Sequence, residues 1–253
     1  MEVERVRVGK VPFDVLSLPD AVERILNSIS PGSGVSVRLS NAYVVAMAAS
    51  DEGYAALLNG PGVNFADGAP VAYLVNRWSR RRGSVGRVRG PSLFVECLGA
   101  GIDRGVRHFF LGASEETLRR MIRRAENEIP GIVISGSFSP PFGPLDSDFY
   151  LDACRRIEEA NAQVVWVGLG SPKQDYATKE LAALLDTPCI GVGAAFDFYA
   201  GTVAEAPRWV QRLGFEWAYR FLSEPRRLWR RYTIGNCQFL ATVLTERVRG
   251  GLQ

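Results

Sequence analysis

The chain of 253 residues has one histidine, His108, and three lysines, Lys10, Lys173 and Lys179. A single histidine excludes zinc or iron sites built from several imidazoles. Four cysteines, Cys97, Cys154, Cys189 and Cys237, are scattered without a CxxC pair. That excludes a disulfide scaffold and predicts small buried hydrophobes in a reducing compartment. The 26 glycines show no period of three, so a collagen-like chain is excluded too. No apolar stretch approaches the roughly 20 residues that a membrane-spanning helix needs. The opening MEVERVRVGK alternates charged and apolar residues and has no apolar core of a signal peptide. The expectation is a cytoplasmic chain that reaches a membrane only peripherally, at the inner face of the cytoplasmic membrane.

What is present is a globular composition, 47% hydrophobic and 23% charged with a net charge of +3. This suits one large or two small domains and excludes disorder as the main state. The basic residues are almost all arginine, 27 of 30. Residues 205–253 hold nine arginines against four glutamates, a net of +5 that exceeds the +3 of the whole chain. A second cluster, Arg77, Arg80, Arg81, Arg82, Arg87 and Arg89, contains no acid. The planar guanidinium fork holds phosphate oxygens in pairs, so such clusters fit phosphate or anionic lipid. A solvated arginine surface fits the composition equally well.

Periodicity gives the fold class. Short apolar runs at 35–39, 63–66, 107–111, 132–135, 164–167 and 189–192 alternate with helical spacings at 42–49, 51–58, 70–78, 114–128, 148–160 and 172–185. Near the N-terminus, 3–8 and 11–16 read as a hairpin, followed by a helix over 19–29. Strands of four to six residues alternating with longer helices predict an α/β domain with a doubly wound, mostly parallel, Rossmann-like sheet. We place this domain at 1–204 and a C-terminal helical, basic appendage at 205–253. Within the appendage, 206–213 and 215–222 read as helices. Residues 225–248 read as one helix about 36 Å long, whose mixture of aromatics and arginines fits an anionic membrane surface.

Ligands of such sheets bind beyond the carboxyl ends of the strands. Asn41 follows the strand at 35–39, where a helix N-cap role competes with a ligand role. Asp67 follows 63–66 and precedes Gly68, where a general base competes with a turn or cap aspartate. Gly168, Gly170, Ser171, Lys173 and Gln174 follow 164–167, in a loop whose glycines and following helix suit an anion. Gln174 adds an amide for a base or sugar. Gly191 and Gly193 follow the last strand but lack the third glycine of a dinucleotide fingerprint. Asp146 and Asp148 resemble metal-holding acids but sit where a helix needs a cap. His108 opens an apolar strand and reads as structural.

The stretch Gly168–Asp175, followed by GVGAAFDFYAGTV and GFEWAYRFLSEPRRLWRRY, resembles the WecG/TagA/CpsF family of bacterial glycosyltransferases. FADG at 65–68, RVRGPSL at 87–93 and FFLGAS at 109–114 extend the resemblance over most of the chain. It implies an inverting transfer of a sugar from a UDP-sugar to an undecaprenyl-diphosphate-linked saccharide, for exopolysaccharide, capsule or teichoic-acid synthesis. It implies no cofactor and no metal ion. Asp67 matches the proposed base, Asn41 and Arg87 match motif residues beside it, and Gln174 matches the Pro-Lys-Gln-Glu glutamine. Arg220, Arg226, Arg227, Arg230 and Arg231 are implied partners of the lipid or nucleotide diphosphate and of the anionic membrane. Monomer and homo-oligomer both remain open.

Four positions depart from the family pattern: Leu39 for Thr, Ala66 for Pro, Asp175 for Glu and Glu205 for Arg. A hydroxyl lost at Leu39 is either missing or supplied by Ser40. The alternative class is a non-catalytic nucleotide-sugar or anionic-lipid binding protein on the same scaffold. Nucleic-acid binding has no recognition module to support it.

Overall fold

A computed structural model describes residues 3–30, 32–80 and 86–250, with side chains for all of these except Arg227 and 246–250. Arg81 and Arg82 of the arginine cluster at 77–89 therefore lie outside the described residues. The chain opens with the expected hairpin, β1 (Arg5–Val8) and β2 (Val11–Asp14), and then α1 (Leu18–Asn27). Ser17 and Asp20 cap α1 reciprocally. There follow β3 (Ser36–Ser40), α2 (Ala42–Ser50), α3 (Glu52–Asn59), β4 (Val63–Ala66), α4 (Ala69–Trp78) and α5 (Gly90–Ala100). The second half alternates as β5 (Arg107–Gly112), α6 (Glu115–Glu128), β6 (Val133–Phe138), α7 (Ser147–Glu159), β7 (Val164–Gly168), α8 (Lys173–Leu185), β8 (Cys189–Gly191) and α9 (Ala195–Ala200). The appendage contains α10 (Arg208–Arg212), α11 (Glu216–Ser223), α12 (Pro225–Tyr232) and α13 (Ile234–Gly250).

Six parallel strands form one sheet in the order β4-β3-β8-β7-β5-β6. Alternate side chains of each strand enter opposite cores. Phe65, Phe110, Trp166 and Ile190 pack with α1, α5, α6 and α9 on one face. Phe109, Leu111, Val165 and Val167 pack with α7 and α8 on the other. Beside them, the hairpin, α2, α3 and α4 make a third core that also takes in Phe239 of α13. The result is a three-layer α/β/α sandwich, the Rossmann-like class that the periodicity predicts.

Three local readings need correction. Residues 90–100 form a helix that the strand-and-helix rhythm passed over. Pro91 stands in its first turn, and Leu93, Phe94, Cys97 and Leu98 supply a buried face. The long helix expected at 225–248 is two helices, divided at Thr233. The division brings Gly235 so close to α2 that a Cβ there would lie 2.9 Å from the Tyr43 ring. An uninterrupted helix running out along a membrane is thus replaced by a helix docked on the domain. Of the cysteines, Cys97 and Cys189 are buried as expected, but Cys154 is half-buried and Cys237 is exposed.

His108 is structural. It is buried, accepts the Trp166 Nε1–H at 3.1 Å on its Nδ1, and burial pushes its pKa down to about 4. Asp146 caps α7 by accepting the Phe149 N–H at 3.0 Å.

Between α3, α8 and β3 lies a buried polar group of different character. Asp175 accepts the Tyr54 hydroxyl at 2.6 Å, and the neighbouring Arg38 donates to the carbonyls of Leu57 and Pro61. This shorter acid is therefore partnered despite its departure from the family's glutamate. Burial pushes Asp175 up to about 6, against the opposing hydrogen bonds of Tyr54 and Ser171 and the charge of Arg38. A folded-state pKa above the unfolded value of about 3.9 means the native state binds the proton more tightly. The contribution of this group to stability is therefore present below about pH 4 and is lost as pH rises toward about 6. Denaturant unfolding at pH 4 and pH 6.5 should show Asp175→Asn losing on the order of 2 kcal/mol less than the parent over that interval. Equal losses in the two proteins would remove Asp175 from the account.

Candidate active site

Parallel register decides which residues meet at the carboxyl edge of the sheet. Ser40 pairs with Ala66, so the next residues, Asn41 and Asp67, leave β3 and β4 side by side. The ladder runs one step further, with the Asp67 N–H donating to the Ser40 carbonyl at 3.1 Å. Asn41 is an N-cap, its Oδ1 accepting from the N–H groups of Tyr43 and Val44. Asp67 is not a cap. The capping position of α4 is Gly68, which makes no side-chain bond and whose φ of +85° favours glycine. Among the described residues, no hydrogen bond from protein reaches the Asp67 carboxylate. A turn or capping aspartate would be engaged by nearby N–H groups, whereas this one faces a cavity.

That cavity, of about 310 Å³, has Asn41, Asp67, Gly68 and Arg87 in its floor. Its roof is the appendage: Trp217 and Arg220 from α11, Arg231 and Tyr232 from α12, and Asn236, Phe239 and Leu240 from α13. Arg220 lies over the Phe198 ring at 5.2 Å, and Arg231 lies over the Tyr43 ring at 5.1 Å. Stacking of this kind holds the guanidinium plane while leaving its N–H edge free to donate. The Nε atoms of both arginines are buried without a partner, and among the described residues neither is ion-paired to a carboxylate. Burial lowers the pKa of Arg231, and Arg220 adds to that; Tyr232, Asp67 and Tyr43 oppose it. Two cations with buried, unpartnered Nε atoms across from a carboxylate form an arrangement that an anionic ligand would complete.

The floor arginines are paired differently. Arg87 meets Glu216 at 2.9 Å, and Arg89 meets the same carboxylate at 2.7 Å. Arg89 also meets Glu205. The charge reversal at 205 is thus answered by an arginine that the residue touches. Leu39 faces the core with Phe65 and Val88, on the sheet face opposite Ser40, so the Ser40 hydroxyl does not stand in for a hydroxyl at 39.

The glycine-rich loops lie on the same sheet edge but do not line this cavity. They follow β7 and β8, and β8 is the neighbour of β3. Gln174 is buried, with its Oε1 accepting from the Gly170 N–H and its Nε2 donating to Ser171. A Cβ on Gly191 would come within 3.2 Å of that amide, and one on Gly193 within 3.4 Å. Gln174 therefore shapes the loop, where the sequence suggested contact with a base or sugar. Lys173 donates to the Gly143 carbonyl. A Cβ on Gly168 would meet the Phe196 ring, whereas Gly170 borders open space. The first turn of α8 has no side-chain cap, but the N–H groups of Gln174, Asp175 and Tyr176 already donate to the carbonyls of Gly170 and Pro172, so this helix start is not the open anion site the sequence suggested.

Arg226 and Arg230 are exposed on α12, away from the cavity, and the side chain of Arg227 is outside the described residues. Sequence reasoning missed Tyr43, Phe198, Trp217, Tyr232 and Glu216 as cavity residues. Trp217, Tyr232 and Glu216 lie within the GFEWAYRFLSEPRRLWRRY stretch, but nothing in their spacing says which way they face. Among the described residues, no helix is long and apolar enough to cross a membrane.

The sequence model of the glycosyl transferase WecG/TagA/CpsF family matches residues 6–252. The chain is also similar to the N-acetylglucosaminyldiphosphoundecaprenol N-acetyl-beta-D-mannosaminyltransferase of Bacillus subtilis (strain 168). The two are 29% identical over 247 residues, covering 94% of this chain and 91% of the relative. With a match over nearly its whole length, the chain belongs to the WecG/TagA/CpsF family of glycosyl transferases.

Proposed function

We propose that the protein is an inverting glycosyltransferase that moves a sugar from a UDP-sugar to an undecaprenyl-diphosphate-linked saccharide in cell-surface polysaccharide synthesis. One observation carries the reading: among the described residues, a carboxylate that accepts no protein hydrogen bond faces two stacked arginines that have no acidic partner, in one cavity. In the reaction, Asp67 takes the proton of the acceptor hydroxyl as its oxygen attacks the anomeric carbon. The bond from that carbon to the UDP oxygen breaks on the opposite face, which inverts the centre. UDP leaves with added negative charge, which N–H donors fixed in advance stabilise.

The nucleoside of the donor lies toward the loops after β7 and β8, on the same carboxyl edge of the sheet, with its diphosphate reaching into the cavity. Arg220 and Arg231 hold a diphosphate in the place a metal ion takes in other transferases. The acceptor lipid enters beneath the appendage. There Trp209, Leu213, Phe215 and Leu222 are exposed, with Arg226 and Arg230 close by in sequence. This mixture suits the interface of an anionic membrane.

The test is UDP release by the full-length protein on anionic vesicles carrying N-acetylglucosaminyl-diphospho-undecaprenol. The first donor is UDP-N-acetylmannosamine, chosen from the activity of the Bacillus subtilis relative; UDP-glucose and UDP-glucuronic acid follow. The expected result is release from one donor that depends on the acceptor, with the protein sedimenting with the vesicles. Binding of UDP without release from any donor would favour the binding-protein alternative.

A further inference from the structure

We infer that Glu216 is a positioning residue that locks the appendage over Asp67 by dividing its carboxylate between two arginines of the cavity floor. The inference rests on the transferase reading for its meaning and on the ion-pair geometry for its substance. Glu216 is the first residue of α11. Its Oε2 meets Arg87 at 2.9 Å and its Oε1 meets Arg89 at 2.7 Å. Arg89 is buried, and it also takes Glu205, at the start of the appendage. Two acids of the appendage thus grip one arginine of the α/β domain, and one of them grips a second. This is a network with both carboxylate oxygens used in different directions, which constrains orientation as well as distance.

The orientation matters because of what lies one turn further on. Residues four apart share a helix face, so anchoring Glu216 sets where Arg220 points. Arg220 then reaches the cavity with its guanidinium over Phe198 and its Nε unpartnered. Arg87 is held at the floor by the same carboxylate, between α11 and Asn41 and Asp67. Glu216 also carries the counter-charge of Arg87 and Arg89. Removing it loosens the roof and at the same time leaves two floor cations without their shared acid. These effects act in opposite directions on anion binding and on turnover, and a residue with a purely structural role would not produce that split.

The experiment compares full-length Glu216→Ala and Glu216→Gln with the parent in three measurements. Hydrogen exchange of the amides of residues 216–223 should quicken at least tenfold in the alanine variant, with the melting temperature within about 3 °C of the parent, as Glu205 still pairs with the buried Arg89. Inorganic pyrophosphate, used as the anion probe, should bind the alanine variant as tightly as the parent or several-fold more tightly. With donor and lipid acceptor, kcat should fall at least tenfold, and the glutamine variant, keeping one acceptor oxygen, should fall between the two. Unchanged exchange at α11, or kcat within threefold of the parent, would overturn the assignment. So would a joint loss of melting temperature, pyrophosphate affinity and kcat, which marks a structural role alone. If the parent transfers no sugar from any donor, the transferase reading fails by itself, and exchange and pyrophosphate affinity still decide whether Glu216 is the lock.

Discussion

Asp67→Asn should lower turnover by about a hundredfold to ten-thousandfold, the range by which a positioned general base contributes to a proton transfer. Affinity for UDP should stay within about threefold, because the carboxylate lies across the cavity from the arginines that would meet a diphosphate. The fold should be unaffected. The Asp67 N–H continues the ladder between β3 and β4 whatever the side chain, and the carboxylate caps no helix. Asparagine has the shape of aspartate and can still accept at one oxygen, but it cannot take the proton from the acceptor hydroxyl. Steady-state rates with a saturating lipid acceptor and calorimetric binding of UDP separate the two effects. Turnover near the parent value would remove Asp67 as the base, and a parallel loss of UDP binding would make it a ligand for the donor.

Arg231→Met should also abolish most activity, by about a hundredfold or more, the scale of losing one donor aimed at developing charge. Its effect on stability should nonetheless be small. Arg231 is a partly buried cation with an orphaned Nε and no carboxylate in ion-pair reach among the described residues. Its burial already opposes the charged form. Methionine keeps the stem's packing and removes a desolvated charge, and these gains offset the lost stacking on Tyr43, worth roughly 0.5–2 kcal/mol. A melting temperature within about 3 °C of the parent, with turnover collapsed, is the expected pair of results. A large drop in melting temperature accompanied by a proportional drop in rate would make Arg231 a strut between α12 and α2.

Most of the α/β domain was legible because period and punctuation agreed. Val63–Ala66 ends where Asp67 and Gly68 follow, and Ser114 accepts the Thr117 N–H at the start of α6. Strand identity and helix identity come from local spacing, and local spacing is what a sequence displays. The loops beyond β3 and β4 followed from the rule that ligands gather at carboxyl ends. The enclosure of the site was not legible. Its roof depends on the division of the last helical segment at Thr233 and on Gly235 admitting the Tyr43 ring, neither of which carries a proline signal. Gln174 was misjudged for a related reason. Its type and position suit a ligand, but the close approach of Gly191 and Gly193 directs its amide into the loop. The pairing of Glu216 with Arg87 and Arg89 was invisible, since it joins residues that no periodicity relates.

The floor of the cavity is assembled from neighbouring strands joined by a single crossover, but the contact of Arg89 with Glu216 spans 127 positions of the chain. Extra loop length of that order adds only about 1–2 kcal/mol to the entropy of closure. Its larger effect is on timing, because contacts remote in sequence wait for the chain between them to find its place. The chamber is therefore a late product of folding. A chain halted with its sheet complete already carries Asn41 and Asp67 at the strand ends, yet it has no roof, no arginine opposite the carboxylate and nothing to shield a reacting centre from water.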